Sequence, residues 1–244
     1  MRLRDKVAIV TGGGGGIGRA IALAYAREGA NVAIADVSIS KAEKVQQEIV
    51  DLQRRALAIY CDVSKEEDAK HMARRVVEEL GAVDILVNSA GIAIRSHVVD
   101  MKVEDWDSTM AVNLRGPFLC AQAVLPYMMK QCSGKIINIS SDSGKKGWAT
   151  GSAYCASKFG LLGLTEALAK EVADEYGINV NAICPGLVDT QMARSAMAEA
   201  GTEPDWSKVT RPDDIANVAV FLASDESSAM FGASIDVFGL PIIM

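Results

Sequence analysis

The chain has 244 residues, half of them hydrophobic, with 25 Lys and Arg against 31 Asp and Glu for a net charge of −6. That length holds one large α/β domain or two small ones, and the apolar content is ample for a substantial core. The acidic balance argues against nucleic acid or an anionic membrane as the main partner, since both select a concentrated basic face. No apolar run reaches membrane-spanning length, and the run near the N-terminus is too short for a secretory signal. Cys61, Cys120, Cys132, Cys155 and Cys184 are scattered without a CxxC pair and read as reduced thiols of a cytoplasmic protein. His71 and His97 lack carboxylate or cysteine companions at ligand spacing, so no metal site is expected.

Lys6–Val10 is a short β-rich run ended by glycines, and Ile17–Glu28 reads as a helix stopped by Gly29. Asn31–Asp36 is a second strand. Ser40 and Glu43 are spaced as a capping box for a helix to about Arg54, and Leu57–Val63 is a third strand. Ser64 and Glu67 repeat the box for a helix to about Leu80, before a fourth strand at Val83–Asn88. A long helix is expected over Glu104–Lys130, bent at Gly116-Pro117. Lys135–Ser140 is the fifth strand, Tyr154–Tyr176 the next helix, closed by Gly177, and Ile178–Cys184 the sixth strand. Residues 187–210 read as irregular, Asp213–Ser224 as a helix and Ser234–Val237 as the last strand. Strands that alternate with helices, and that are mostly continuous apolar runs, predict a parallel sheet covered on both faces. The expectation is one doubly wound α/β domain over 1–244, with a sheet of about seven strands.

Thr11–Gly18, TGGGGGIG, joins a strand to a helix. Backbone amides at a helix start form an anion site, and glycines let the backbone approach a pyrophosphate closely. Read alone the stretch is a flexible glycine-rich loop; the strand–turn–helix context favours the anion site. Asp36 ends the second strand about twenty residues further on. A carboxylate there can accept from ribose hydroxyls and would repel a 2′-phosphate. Val37 follows it and no Lys or Arg lies among Gly12–Gly16, so NAD(H) is expected over NADP(H). A turn-capping aspartate is the other reading of Asp36.

Tyr154 and Lys158 are four apart, on one helix face one turn from each other. A nearby ammonium favours the phenolate and would make Tyr154 an acid/base near neutral pH. Ser141 lies thirteen positions upstream, at the carboxyl end of a strand, where open α/β sheets bind ligands. Alone, YxxxK reads first as a helix-surface pair, and the other motifs reverse that reading.

The glycine turn, the Asn88-Ser-Ala-Gly91 turn and the Ser141/Tyr154/Lys158 set together resemble the short-chain dehydrogenase/reductase family, from 11–18 to the strand near 234–238. The resemblance implies a Rossmann-like fold and hydride transfer between C4 of a nicotinamide and a secondary alcohol or ketone carbon. It implies Tyr154 as general acid/base, Ser141 holding the substrate oxygen, Lys158 on the nicotinamide ribose and Asn113 anchoring a water beneath Lys158. Cofactor contacts are implied for Gly12, Gly16, Ile17, Gly18, Asn88, Ala90 and Gly91, although Ser89 replaces the commoner second Asn. Asp62 would bond the adenine with Val63 beside it, and Pro185, Gly186, Val188 and Thr190 match the segment over the nicotinamide. Polyol dehydrogenases and 3-oxoacyl-carrier-protein reductases are the members most resembled. Asp36 and the acidic Asp174-Glu175 speak against the latter, and a non-catalytic dinucleotide-binding regulator is the remote alternative.

The substrate loop, 187–210, is short and has few bulky apolar side chains apart from Trp206. Ser143, Trp148, Arg95 and Arg194 are candidate substrate contacts, and Lys145 with Lys146 reads as a solvated pair before an anion site. Ala156, Gly160, Gly163 and Ala167 form a small-residue stripe opposite Tyr154 and Lys158, a close-packing face for a second subunit or for another part of this one. Family resemblance suggests a homodimer or homotetramer. Phe238 and Leu240 depart from the family's Asp-Gly-Gly ending, and the apolar Ile242–Met244 is expected to be buried at a subunit contact.

Overall fold

The structure, a computed structural model, describes residues 1–199 and 201–239. Val7–Thr11 (β1), Asn31–Asp36 (β2), Ala56–Tyr60 (β3), Ile85–Asn88 (β4), Gly134–Ile139 (β5), Ile178–Pro185 (β6) and Ser234–Val237 (β7) form one parallel sheet. Its order is β3-β2-β1-β4-β5-β6-β7. The chain reverses direction across the sheet between β1 and β4, which opens a crevice beyond their carboxyl ends.

The helices are Gly16–Arg27 (α1), Ile39–Asp51 (α2), Glu66–Leu80 (α3), Val103–Met110 (α4), Gly116–Gln131 (α5), Ser152–Tyr176 (α6), Gln191–Glu199 (α7) and Pro212–Ala223 (α8). α1, α2 and α8 cover one face, and α3, α5 and α6 the other. Alternate residues of a strand serve opposite faces: Ala8 and Val10 pack with the first group, Val7 and Ile9 with the second. This is why β1 is apolar from Val7 to Val10. Each fully buried aliphatic side chain contributes about 1.5–3 kcal/mol relative to exposure.

Several sequence expectations are corrected. Neither capping box forms. Ser38, not Ser40, precedes α2, and Lys65, not Ser64, precedes α3, both without a side-chain cap. The Ser64 hydroxyl instead donates to Asp62 Oδ1 at 2.7 Å, a charge-assisted bond within its own turn. Glu66, Glu67 and Asp68 in the first turn of α3 meet its dipole instead. The third strand stops at Tyr60, paired with Asp36, because β2 ends there and offers no further partner. The bend of the long helix is a π-helical turn, Ala111–Arg115, and α5 starts at Gly116-Pro117, where the missing proline N–H costs nothing. Residues 187–210 contain α7 and a short 3-10 turn, Trp206–Lys208. α7 buries none of its residues, although Met192, Ala193, Ala196 and Met197 repeat at helical spacing. Leu240 and Ile242–Met244 lie outside the described residues.

The β1–α1 turn is too tight for side chains. A Cβ on Gly18 would sit 2.3 Å from the Gly12 carbonyl oxygen. Gly18→Ala is therefore expected to lower stability by about 3 kcal/mol, read as the shift of a urea unfolding midpoint. An unchanged midpoint would refute this packing.

Candidate active site

Strand register builds the site floor. Thr11 pairs with Asn88, and Asn88 with Asn138, so three polar side chains stand in a row where the apolar strands end. Thr11 Oγ1 donates to the Val87 carbonyl at 3.3 Å and accepts from the Ser89 and Ala90 amides at 3.1 and 3.3 Å. Gly12, at φ +62°, closes the contact, since a Cβ there would meet the Ala90 backbone at 2.8 Å. The glycine turn and the Asn88–Gly91 turn are thus one surface. Asn88 Nδ2 donates to Asn138 Oδ1 at 2.9 Å, and Asn138 Nδ2 to Thr165 Oγ1 at 2.9 Å. Asn88 Oδ1 is buried without a partner.

Gly15 has open space where a Cβ would stand, and the first turn of α1 carries no acid. Those amides and the helix dipole make a cradle for an anion. Thr190 leans over it, with its methyl 3.4 Å from a Cβ position on Gly16. A separate groove of about 640 Å³ runs along the outer side of α1 from Gly16 to Arg27, between Glu48–Leu52 and the segments at Asp189–Gln191 and Pro212-Asp213. Val188 and Asp189 are pinned to Thr210 by a parallel bridge and a 2.9 Å amide bond. Gly186 lies under Phe238, with 3.1 Å from its Cβ position to the ring. Pro185 closes β6.

Asp36 forms the turn cap that one of its two sequence readings expected. Oδ1 accepts from the Ser38 amide at 2.9 Å and Oδ2 from the Gly14 amide at 3.0 Å. It caps its own turn and braces the glycine loop, with lone pairs left for further donors. Asp62 Oδ1 takes the amide and hydroxyl of Ser64. Val63 is buried, and its methyl lies 2.8 Å from a Cβ position on Gly116, so it supports the start of α5.

Tyr154 and Lys158 project from α6. Lys158 is 5% exposed, and its Nζ donates to the Ile139 carbonyl at 2.8 Å and lies 5.6 Å from the Tyr154 ring centre. Burial lowers the Lys158 pKa to about 8. Burial also pushes the Tyr154 phenol up, against a downward pull from the nearby Ser141 hydroxyl; Asp142 and Cys155 add to the rise. The expected depression of Tyr154 by Lys158 is therefore not met. Desolvation disfavours phenolate and ammonium alike, and it exceeds the attraction between them.

Asn113 sits in the π-helical turn, fully buried. Its Oδ1 accepts from the Ile92 amide at 2.9 Å, and Nδ2 donates to the Ile92 carbonyl at 2.8 Å and to Ser157 Oγ at 3.1 Å. Gly91 passes between Asn113 and Lys158, with a Cβ position 3.4 Å from Asn113 Oδ1 and 3.8 Å from Lys158 Nζ. Of the substrate candidates, Ser143 Oγ accepts from Trp148 Nε1 at 2.9 Å, and the Arg95 guanidinium stacks on that indole at 4.8 Å. Arg194 turns elsewhere: it pairs with Asp189 at 2.6 Å and stacks on Trp206 at 4.4 Å, tying α7 to the turn beyond it. Lys145 and Lys146 are paired with Asp236 and Asp142.

Thr11, Asn138, Ser140 and Asp142 escaped the reading of the sequence. Asn138 had a signal, a polar residue in the middle of an apolar strand. Ser140, whose Oγ donates to the Lys158 carbonyl at 3.1 Å, had none.

The family model for short chain dehydrogenases matches residues 6–201. A 3-oxoacyl-[acyl-carrier-protein] reductase of Thermotoga maritima is 39% identical over 244 residues, covering 98% of each chain. A short-chain dehydrogenase/reductase of Armillaria gallica is 42% identical, covering 97% of this chain and 95% of its own. The chain belongs to the short-chain dehydrogenase/reductase family. Among solved structures, levodione reductase superposes on this short-chain dehydrogenase with a TM-score of 0.93 at 32% identity, over 98% of both chains. NAD⁺-bound xylitol dehydrogenase gives 0.91 at 31% identity, over 98% of this chain and 100% of its own. Like these enzymes, this short-chain dehydrogenase is an oxidoreductase of Rossmann-like fold.

Lys158 also leaves a mark on stability. A lysine ordinarily titrates near 10.4, so between pH 8 and that value the unfolded state binds the extra proton and stability rises with pH. Lys158→Met removes the dependence. The variant's stability relative to wild type is expected to fall by roughly 3 kcal/mol as pH goes from below 8 to above 10, followed by urea unfolding. A constant difference across that range would contradict a buried ammonium.

Proposed function

We propose that this short-chain dehydrogenase is an NAD(H)-dependent enzyme that interconverts a secondary alcohol and a ketone, with Tyr154 as the general acid/base. The observation that carries the reading is Tyr154 one helical turn before the buried Lys158, whose Nζ is anchored on the Ile139 carbonyl two residues before Ser141. The glycine cradle and the orphaned Asn88 Oδ1 suit a dinucleotide along the same edge. Asp36 supports NAD(H), because its free lone pairs suit ribose hydroxyls and its charge disfavours a 2′-phosphate. Lys41 of α2 also lies against Gly14, at 2.8 Å from its Cβ position, so the NADP(H) comparison is a sharp one.

Bound here, the nicotinamide supplies the hydride acceptor for oxidation and the donor for reduction. Tyr154 takes the alcohol proton in one direction and returns it to the carbonyl oxygen in the other. Ser141 holds that oxygen in line. Lys158 has donors beyond the one given to Ile139, and these would hold the nicotinamide ribose and steady the phenolate as it forms. Asn113, clamped by Ile92, would anchor a water for the proton's exit. Gly12, Gly16, Ile17, Gly18, Asp62, Val63, Ala90, Gly91, Pro185, Gly186, Val188 and Thr190 complete the cofactor contacts we assign. Ser143 and Trp148 are the substrate contacts this geometry favours.

A second reading, reduction of a 3-oxoacyl thioester, is favoured by the likeness to the Thermotoga 3-oxoacyl-[acyl-carrier-protein] reductase. Asp36 and the exposed Asp174 and Glu175 speak against it, through the cofactor and an acidic docking partner respectively. Nicotinamide absorbance, followed with NAD⁺ and NADP⁺ against secondary alcohols, polyols and 3-hydroxyacyl thioesters, separates the readings. Tyr154→Phe is expected to lower kcat by about 10²–10⁴. A faster rate with NADP⁺ would sink the reading of Asp36, and an active Phe variant would sink that of Tyr154.

We place the enzyme in the cytoplasm, in keeping with its five free thiols, and propose a homodimer or homotetramer. A groove of about 700 Å³ on the outer face of α4 and α5 is lined by Met110, Leu114, Phe118 and Leu164. In the small-residue stripe, Gly160 packs on Leu114 of its own subunit, whereas Gly163 has open space at its Cβ position. Gly163→Ala would stabilise an isolated α6 by about 1 kcal/mol. If a second α6 lies there, the same change weakens assembly, seen as a lower mass in light scattering at low concentration. An unaltered assembly would exclude Gly163 from the contact.

A further inference from the structure

Two arginines of the chain lie over tryptophan rings. Arg194 stacks on Trp206 at 4.4 Å and its fork is filled, Nε and Nη2 donating to the two oxygens of Asp189 at 2.6 and 2.8 Å. Arg95 stacks on Trp148 at 4.8 Å, and among the described residues it has no ion pair and no hydrogen bond from its side chain. An indole face steadies a guanidinium and leaves its donor edge open to a planar acceptor with two oxygens.

The open fork stands beside the reacting groups, and two loops hold it there. Trp148 Nε1 donates to Ser143 Oγ at 2.9 Å, two residues beyond Ser141. A Cβ on Gly151 would stand 2.5 Å from the indole, so the ring is seated on the residue that opens α6, three positions before Tyr154. Arg95 follows Gly91, whose Cβ position is 3.8 Å from Lys158 Nζ. The Ser96 amide donates to the Thr150 carbonyl at 2.9 Å and ties the two loops together. Thr150 is at φ +69°, a left-handed conformation that a β-branched residue rarely adopts and that persists only where its surroundings over-determine it. Asp142, the acid of the neighbouring turn, faces Lys146 at 3.4 Å.

We propose that Arg95 binds a carboxylate of the substrate, so that the alcohol and ketone interconverted here are a hydroxy acid and its keto acid. The proposal rests on the oxidoreductase reading above and names its substrate class. The carboxylate would meet Arg95 as Asp189 meets Arg194, through two parallel charge-assisted bonds. Trp148 and Ser143 lie between the guanidinium and Ser141, which assigns the carboxylate to binding rather than to the hydride step. Its loss is therefore felt in KM more than in kcat.

The test uses the full-length enzyme and matched pairs of probes, 3-hydroxybutyrate, 4-hydroxypentanoate and 5-hydroxyhexanoate, each against its uncharged amide. Binding is measured by calorimetry with saturating NAD⁺ or NADP⁺, and turnover by nicotinamide absorbance. Wild type is expected to bind at least one acid more tightly than its amide by roughly ten- to a hundredfold, the scale of hydrogen bonds to a charged group. Arg95→Gln, which keeps length and loses the charge, is expected to abolish that preference through KM. Arg95→Lys, which keeps the charge and loses the fork, is expected to restore part of it. Thermal midpoints check that both variants fold. No preference for the acid in any pair, or a preference that survives Arg95→Gln, overturns the proposal. A preference for the acid that Arg95→Gln removes, without turnover of any probe on either cofactor, supports the carboxylate site and counts against the oxidoreductase reading alone.

Discussion

The buried ammonium of Lys158 is the constraint on which the site depends. Placing a charge in a sheet–helix interface is costly unless its donors are met. The Ile139 carbonyl, at the very end of β5, meets one of them. Ser140 then bonds the Lys158 carbonyl, and the turn at Gly144 presses against the same group, with a Cβ position 2.9 Å from its oxygen. Strand, turn and helix are locked at this one level. Ser141 and Tyr154 are consequences of the lock, one residue beyond Ser140 and one helical turn before Lys158.

Around that lock runs a line of polar residues inside an apolar core. Thr11, Asn88, Asn138 and Thr165 share hydrogen bonds or strand register across β1, β4, β5 and α6. Such groups are tolerated only when they are paired, and they specify register because a slipped strand would strand them. The orphaned Asn88 Oδ1 marks where the line reaches the ligand edge of the sheet. The π-helical turn at Asn113 belongs to the same design. One wide turn lets Asn113 reach the Ile92 backbone while α5 continues along the sheet.

Chemistry is concentrated where burial has been taken furthest. Burial raises the Tyr154 proton affinity and lowers that of Lys158, bringing two groups that ordinarily titrate near the same pH to opposite sides of it. Beside them the Ser141 hydroxyl donates to Asp142. The loop side is less constrained. α7 buries nothing and is held by Arg194 with Asp189 and Trp206, a surface arrangement that leaves substrate choice to few contacts.

The sequence by itself determined the class of fold and the cofactor edge. Continuous apolar strands have only one stable setting, between two helical layers, and a run of five glycines before a helix has few uses other than close approach to a ligand. The YxxxK spacing likewise fixed a shared helix face, because it is a local property of 3.6 residues per turn. Only the tertiary structure decided the rest. It moved the helix starts from Ser40 and Ser64 to follow Ser38 and Lys65, neither of which caps through its side chain. It placed a helix at Gln191–Glu199, which buries none of its residues. It also set the proton affinities of Tyr154 and Lys158 and the direction of the Ser141 hydroxyl. Those depend on burial and on partners from β5 and the 141–144 turn, brought together by chain folding and invisible to any count of residues between them.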